Sequence, residues 1–245
     1  MKDHFSQGSS EYKRYRPGYP AELFACLASL VTRRERAWDC ATGSGQAALG
    51  LASHFEMVVA TDGAARQIQN RSPHPRIAYA VARAEESGLK AGSIDLVTVA
   101  QALHWFDFVR FYVEARRVLK SDGAIAAWCY GLFRVSPEID TIVQGFYTEI
   151  VGPFWPPERR FIDERYESIP FPFKEISLPA FSMEAAWTLR HLRGYLHTWS
   201  SVGKFRERLG SDPLDSIDGQ LATAWGDPES SRTVIWPIHT RVGRI

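Results

Sequence analysis

The chain has little cysteine, and what it has is scattered. Cys26, Cys40 and Cys129 are three, an odd number, far apart and set among apolar neighbours. That excludes a paired disulfide framework and is expected of small core residues in a reducing compartment. Nowhere do about 18 apolar residues run together, so no membrane-spanning helix is predicted. The opening Met-Lys-Asp-His-Phe-Ser-Gln-Gly lacks the apolar core of a signal peptide, and the expectation is a cytoplasmic protein. Charge of one sign is missing too: 29 Lys and Arg face 28 Asp and Glu, a net +1. With no basic surplus, and no Lys/Arg block interleaved with aromatics, nucleic acid is not expected as a partner. Cys/His sets with metal spacing are absent, as is a Gly-x-Ser-x-Gly elbow, so neither a metal centre nor a serine nucleophile is predicted. Internal repeats and low-complexity tracts are absent as well.

What is present is a soluble globular composition, 45% apolar and 23% charged over 245 residues. That is enough for one domain and an embellishment. The chain is organised around the stretch from Ala37 to Asp62. Ala37 to Ala41 is short and apolar around Asp39, Thr42 to Gly45 supplies small residues for a sharp turn, Gln46 to His54 is helical in character, and Val58 to Ala60 is β-prone. That order is a right-handed β-α-β unit. Its turn leaves backbone N–H groups and a helix N-terminus at the carboxyl end of the first strand, where Asp62, followed by Gly63, can accept both hydroxyls of a ribose.

Two cofactors suit such a unit. A dinucleotide needs three glycines in the fingerprint spacing. Here Asp39-Cys-Ala-Thr-Gly-Ser-Gly45 lacks the first of them and sets an acid before the turn, which repels a diphosphate. A carboxylate there is better suited to orienting the turn, or to meeting an ammonium through water. In this form the stretch resembles the first motif of class I S-adenosylmethionine-dependent methyltransferases. Ala41 stands where that motif has its first glycine, a change an alanine tolerates if the backbone does not need positive φ. The resemblance implies S-adenosyl-L-methionine as cofactor, a Rossmann-like seven-stranded sheet, mostly parallel with an antiparallel final strand, and helices on both faces. It places Thr42 and Gly43 against the cofactor.

Tyr15-Arg-Pro-Gly-Tyr-Pro20 precedes a helix predicted from about Ala21 to Val31. The segment is similar to the N-terminal lid of the trans-aconitate methyltransferase subfamily, which implies that Tyr15 and Arg16 approach the cofactor, Arg16 as partner of its carboxylate. A third strand is expected over Ile77–Arg83, followed by Ala84-Glu85-Glu86. The family usually has Asp-Ala-Glu here, its acid holding the adenine amino group. Arg83 takes the acid's place: either the backbone at Ala84 and the side chain of Glu85 read adenine, or the cofactor site is altered. The buried strand Gly92–Gln101 leads into Ala102-Leu-His-Trp-Phe-Asp107. A strand's carboxyl end is where open α/β sheets place ligands, and Gln-Ala-x-His-Trp resembles the subfamily's fourth motif. Gln101, Ala102 and Trp105 are accordingly placed at the cofactor and His104 at the substrate, with the Trp105 indole suited to a cation–π contact with a sulfonium.

A helix over Asp107–Leu119 and a fifth strand over Ala124–Tyr130 complete the alternation that predicts a doubly wound sheet. Tyr130, at the same edge, joins the substrate candidates. Residues 1–36 then read as lid and first helix, 37–130 as the cofactor-binding core, 131–172 as a proline-rich cap over the substrate, and 173–245 as the closing strands and helices. The cap offers Trp155, Arg159, Arg160 and Tyr166, and also Arg134. Tyr195-Leu-His-Thr-Trp-Ser200 resembles the subfamily's Thr-Trp-Ser element and adds Tyr195 and Trp199 to the substrate wall. A strand over Phe173–Met183, a helical stretch from Glu184 broken near Ser200, a surface helix over Asp212–Trp225 and a last strand over Thr233–Val242 complete the chain, with Pro237 marking a bulge or edge.

The expected activity is methyl transfer to a small molecule, with O-methylation of a carboxylate as the finer reading. An ionised acceptor needs no base; a hydroxyl, amine or acidic carbon would need one, and His104 is the nearest candidate. An S-adenosylmethionine-binding regulatory protein and an NAD(P)-dependent oxidoreductase remain as alternatives. No residue is assigned a covalent catalytic role, and the oligomeric state is not set by the sequence.

Overall fold

The computed structural model describes Tyr15 and residues 17–245; the expected role of Arg16 lies outside these. The sheet is built from β1 (Arg36–Cys40), β2 (Met57–Asp62), β3 (Ile77–Val81), β4 (Ile94–Ala100), β5 (Leu119–Tyr130), β6 (Lys174–Glu175), β7 (Phe181–Trp187) and β8 (Arg232–Arg244). Its order is β3-β2-β1-β4-β5-β8-β6, with β7 also paired to β8. β1 to β5 run parallel; β8 is antiparallel to β5 on one side and to β6 and β7 on the other.

The side-chain alternation of the strands decides how the layers form. Along β5, Ala124, Ala126, Trp128 and Tyr130 face one core while Ile125, Ala127 and Cys129 face the other. Burial on both faces is why β4, Ile-Asp-Leu-Val-Thr-Val-Ala, reads as an almost unbroken apolar run. The first core takes α1 (Ala21–Ser29) and α2 (Gln46–Leu51), the second α4 (Phe108–Val118); α3 (Ala65–Gln69) connects β2 to β3. α4 buries Phe111, Tyr112, Ala115 and Val118 along one stripe. The Asp107 carboxylate caps it, accepting from the Arg110 amide at 3.1 Å.

Beyond β5 come α5 (Pro137–Gly145), one wide π turn over Phe146–Ile150, and α6 (Arg159–Asp163). The predicted strand over Phe173–Met183 is corrected to two pieces, β6 and β7: the Ile176 amide still bonds the Val242 carbonyl, and residues 177–180 then run outside the ladder until β7 begins. The helix expected from Glu184 begins only at α7 (Leu189–His197): Glu184 to Trp187 pairs with β8. α8 (Ser200–Leu209) follows a break at Thr198 and Trp199, and α9 is Asp218–Trp225. The stretch expected to be one surface helix from Asp212 is a 3-10 turn followed by α9, which buries Leu221 and Trp225. Pro237 sits in a gap of the β5 side of β8, between the pairings Tyr130↔Ile238 and Arg134↔Ile235, where its missing N–H leaves no rung of the ladder empty.

Candidate active site

Parallel pairing brings the carboxyl ends of β1 to β5 to one edge. There β1 and β4 leave the sheet by the same left-handed step: Ala41 has φ +54° and Gln101 φ +55°. The expectation that Ala41 is tolerated because positive φ is not needed is therefore corrected. The backbone does take that conformation, at a strain on the order of 1 kcal/mol. Gly43 (φ +57°) and Gly45 (φ +93°) continue the turn. At Gly45 a Cβ would also lie 2.2 Å from the Tyr79 hydroxyl, so only glycine lets that ring lie across the turn.

Asp39 is fully buried and accepts from the hydroxyls of Thr42 at 2.5 Å and Thr98 at 2.9 Å. Burial pushes its carboxyl up to about 6 against those two bonds. It orients the turn rather than facing outward. Asp62 braces the same turn from β2: one carboxylate oxygen accepts the Gly43 amide at 2.9 Å and the other the Ala64 amide at 2.8 Å. Gly63 beside it is exposed. At the end of β3, Ala84 is buried, and Glu85 accepts the Asp107 amide at 3.1 Å and stands 3.5 Å from Arg83. The Gln101 side chain closes a ring with the main chain of Tyr130, donating to its carbonyl at 2.9 Å and accepting its N–H at 2.8 Å. It thereby extends the sheet past the end of β4, and Ala102 next to it is buried.

The N-terminal segment crosses this edge. The Pro17 carbonyl accepts from Gln46 Nε2 at 2.8 Å, and Tyr19 packs edge-on against Trp128. Tyr15 lies against α7, near His191 and over Gly194, where a Cβ would come within 2.5 Å of its ring.

Next to the edge is a cavity of about 70 Å³. Its wall brings together His104, Tyr130, Trp155, Arg159, Tyr195 and Trp199, with Gln101 and Trp105 beside them. Arg160 is not part of that wall; its guanidinium stacks on Phe161 instead. Aromatic rings dominate: Trp155 and Trp199 have centroids 5.7 Å apart, and Tyr147 packs on both. Arg159 lies 4.6 Å over the Trp155 ring, donates to the Tyr147 hydroxyl at 2.6 Å and stands 3.6 Å from Asp163. His104 is buried, and burial together with the Arg159 charge pushes it down to about 3. It is a neutral imidazole at any ordinary pH. Tyr147 is not among the residues expected at the site. Nothing local distinguishes it, because its contacts with Arg159 and Trp155 depend on the wide turn after α5. Thr198, in the wall, is foreseen only as part of the Thr-Trp-Ser run.

Residues 38–127 match the family model described as a methyltransferase domain. A Dictyostelium discoideum protein named as a methyltransferase is 32% identical over 237 residues, 95% of this chain and 90% of its own. The chain belongs to the methyltransferase family. A solved structure from Anaeromyxobacter dehalogenans, named as a type II methyltransferase, shares 46% identity over 94% of this chain and 97% of its own, with a TM-score of 0.89. The malonyl-[acyl-carrier protein] O-methyltransferase of Geobacter sulfurreducens is 30% identical over 141 residues, 54% of this chain and 53% of its own. This methyltransferase is an S-adenosylmethionine-dependent enzyme. Among the described residues no helix is long and apolar enough to cross a membrane, and no cluster of three His, Cys, Asp or Glu could hold a metal.

Proposed function

We propose that this methyltransferase acts on a small carboxylic acid, forming a methyl ester in the cavity walled by Trp155, Arg159 and Trp199. The observation that carries the reading is the charge pattern of that wall: one guanidinium, one imidazole held neutral, and no carboxylate. An enclosed aromatic space with a single fixed cation suits a small anion better than an amine, which would meet Arg159 as a like charge. A carboxylate arrives ionised, so the transfer needs no base, and a His104 pushed to about 3 is too weak a base to activate a hydroxyl. The O-methyltransferase from Geobacter sulfurreducens adds support, since the free oxygens of a malonyl thioester belong to a carboxylate.

The turn suits the cofactor by its position and its small residues. The left-handed steps at Ala41 and Gly43 bring backbone and small side chains to the edge, and Asp62 holds the turn at the place where a ribose is expected. On this reading Ala41, Thr42, Gly43, Asp62 and Gly63 would hold the adenosine and Ala84 with Glu85 would flank its base. Gln101 and Ala102 would lie along the methionine tail by their backbone, and Trp105 would face the sulfonium. The cofactor supplies an electrophilic methyl group whose departure leaves a neutral thioether. The chain's part is to hold the acceptor in line and to exclude water. Tyr15 and Tyr19 would close the edge from the N-terminal side, and residues 131–172 would cap the acceptor. The trans-aconitate methyltransferase subfamily is the resembled group that matches this chemistry.

The test is turnover of labelled methyl donor against small mono- and dicarboxylates, phenols and amines. Base-labile methyl esters formed from an acid are the expected product. Transfer only to phenols or amines would overturn the carboxylate assignment.

A further inference from the structure

We propose that Tyr166 is a positioning residue that fixes His104 in the tautomer carrying its proton on Nε2, so that the ring offers the methyl acceptor an N–H donor and not a base. The inference rests on the reading that the cavity beside His104 receives the acceptor, but it concerns a property of the protein alone.

The geometry begins with Tyr166 itself. Its side chain is fully buried, and its hydroxyl lies 2.9 Å from His104 Nδ1. Among the described residues, His104 Nδ1 is the hydrogen-bond partner of that hydroxyl. A buried phenol proton with no other acceptor within reach is left unsatisfied unless Nδ1 takes it. A neutral imidazole that accepts at Nδ1 carries its hydrogen on Nε2. His104 lines the cavity, and no group among the described residues bonds Nε2.

The fold goes to some length to hold the phenol there. Arg165 and Tyr166 both take positive φ, +55° and +64°, two consecutive residues with side chains in a conformation that costs each on the order of 1 kcal/mol. The strained turn is clamped from β8: Arg241 donates through Nη1 to the carbonyls of Tyr166 at 2.7 Å and Ile169 at 3.2 Å, stacks 4.8 Å over Phe171, and pairs with both oxygens of Glu175. A loop needing only to cover the sheet has no use for that strain. A loop that must deliver one hydroxyl to one ring nitrogen does.

The consequence sharpens the acceptor class. An Nε2–H donor stabilises an oxygen that is negative in the ground state or carries a lone pair toward the ring, and it repels N–H and O–H protons. Acceptors that arrive as oxyanions are favoured over those that must lose a proton in the site.

The experiment is a two-bond ¹H–¹⁵N correlation spectrum of full-length protein labelled at histidine, with His104 assigned by the signal missing in His104→Gln. The expected result is Nδ1 in the unprotonated range and Nε2 in the protonated range, with Tyr166→Phe moving both toward averaged values. Donor affinity in Tyr166→Phe should stay within about twofold, since the hydroxyl bonds His104 and no residue of the turn after β1. A wild-type His104 protonated on Nδ1, or a tautomer unchanged in Tyr166→Phe, would overturn the proposal. Should Tyr166→Phe fail to bind donor, the wild-type spectrum decides alone. A failed carboxylate screen beside the expected spectrum would remove the substrate assignment and leave the tautomer standing.

Discussion

The two halves of the candidate site are built from different material. The turn at the end of β1 is made of backbone: left-handed steps at Ala41, Gly43 and Gly45, braced by Asp39 and Asp62 through hydrogen bonds to Thr42 and the Gly43 amide. The cavity is made of side chains delivered by four separate segments, with Trp105 after β4, Tyr130 from β5, Trp155 and Arg159 from the stretch between α5 and β6, and Tyr195 and Trp199 around α7. Backbone geometry suits a ligand that never changes, whereas a wall of side chains on long connections can be re-cut for a different acceptor without disturbing the sheet.

The largest expected effect breaks the comparison by pH. In each half one buried group is displaced within the range from pH 3 to 7, and the two act in opposite directions. Asp39 has its folded value raised from 3.8 to about 6, so the stability it contributes is full below 3.8 and is lost as pH rises through about 6. That difference is worth about 3 kcal/mol, since displacing a pKa by one costs about 1.4 kcal/mol. His104 is lowered from 6.5 to about 3, so its contribution is full above 6.5 and is lost as pH falls toward 3. Denaturant unfolding from pH 4 to 7 should show Asp39→Asn removing the loss on the alkaline side of this window and His104→Gln the loss on the acid side. Identical profiles for the two variants would show that neither group is desolvated as described.

A smaller effect separates donor from acceptor. Arg159→Ala should raise the acceptor KM by about thirtyfold, a charged hydrogen bond being worth roughly 2 kcal/mol, with donor affinity unchanged. Gly45→Ala should do the reverse, weakening donor binding and lowering stability by about 1 to 2 kcal/mol, because its φ of +93° strains any side chain and Tyr79 must move. Steady-state kinetics with isothermal titration of donor would register either outcome. A common loss of both ligands would show the halves to be one unit.

The smallest effect concerns the segment that touches both halves. Gly194→Ala places a methyl group against the Tyr15 ring and should lift it from α7. Global stability should fall by less than about 1 kcal/mol, as for a surface contact. Protease cleavage ahead of Pro17 should become faster, and unchanged cleavage would detach Tyr15 from the closing role.

Much of this is legible along the chain. The β-α-β unit, the place of Asp62 beside the turn and the edge position of Gln101 to Trp105 follow from local pattern, because period-two burial, a glycine turn and a helix in sequence leave few topologies open. The departures have physical causes. Ala41 reads as a residue that avoids positive φ, yet the tight exit from β1 imposes it on any residue there. Gln101 looks like a ligand-facing amide, but the main chain of Tyr130 claims both its ends. Glu184 to Trp187 has helical composition, and pairing with β8 overrides it. Arg159 and Arg160 are adjacent and alike in sequence; the turn of α6 sends one to the cavity and the other to Phe161.

By itself, then, the sequence determined the alternating strands and helices of the parallel half of the sheet, its carboxyl edge and the family to which the chain belongs, since those are carried by patterns among residues within a few positions of one another. Only the tertiary structure decided which aromatic rings share a wall, which arginine faces it, and that Tyr166 reaches His104 across 62 positions of chain. Such contacts are set by how separate elements pack, and no local periodicity encodes them.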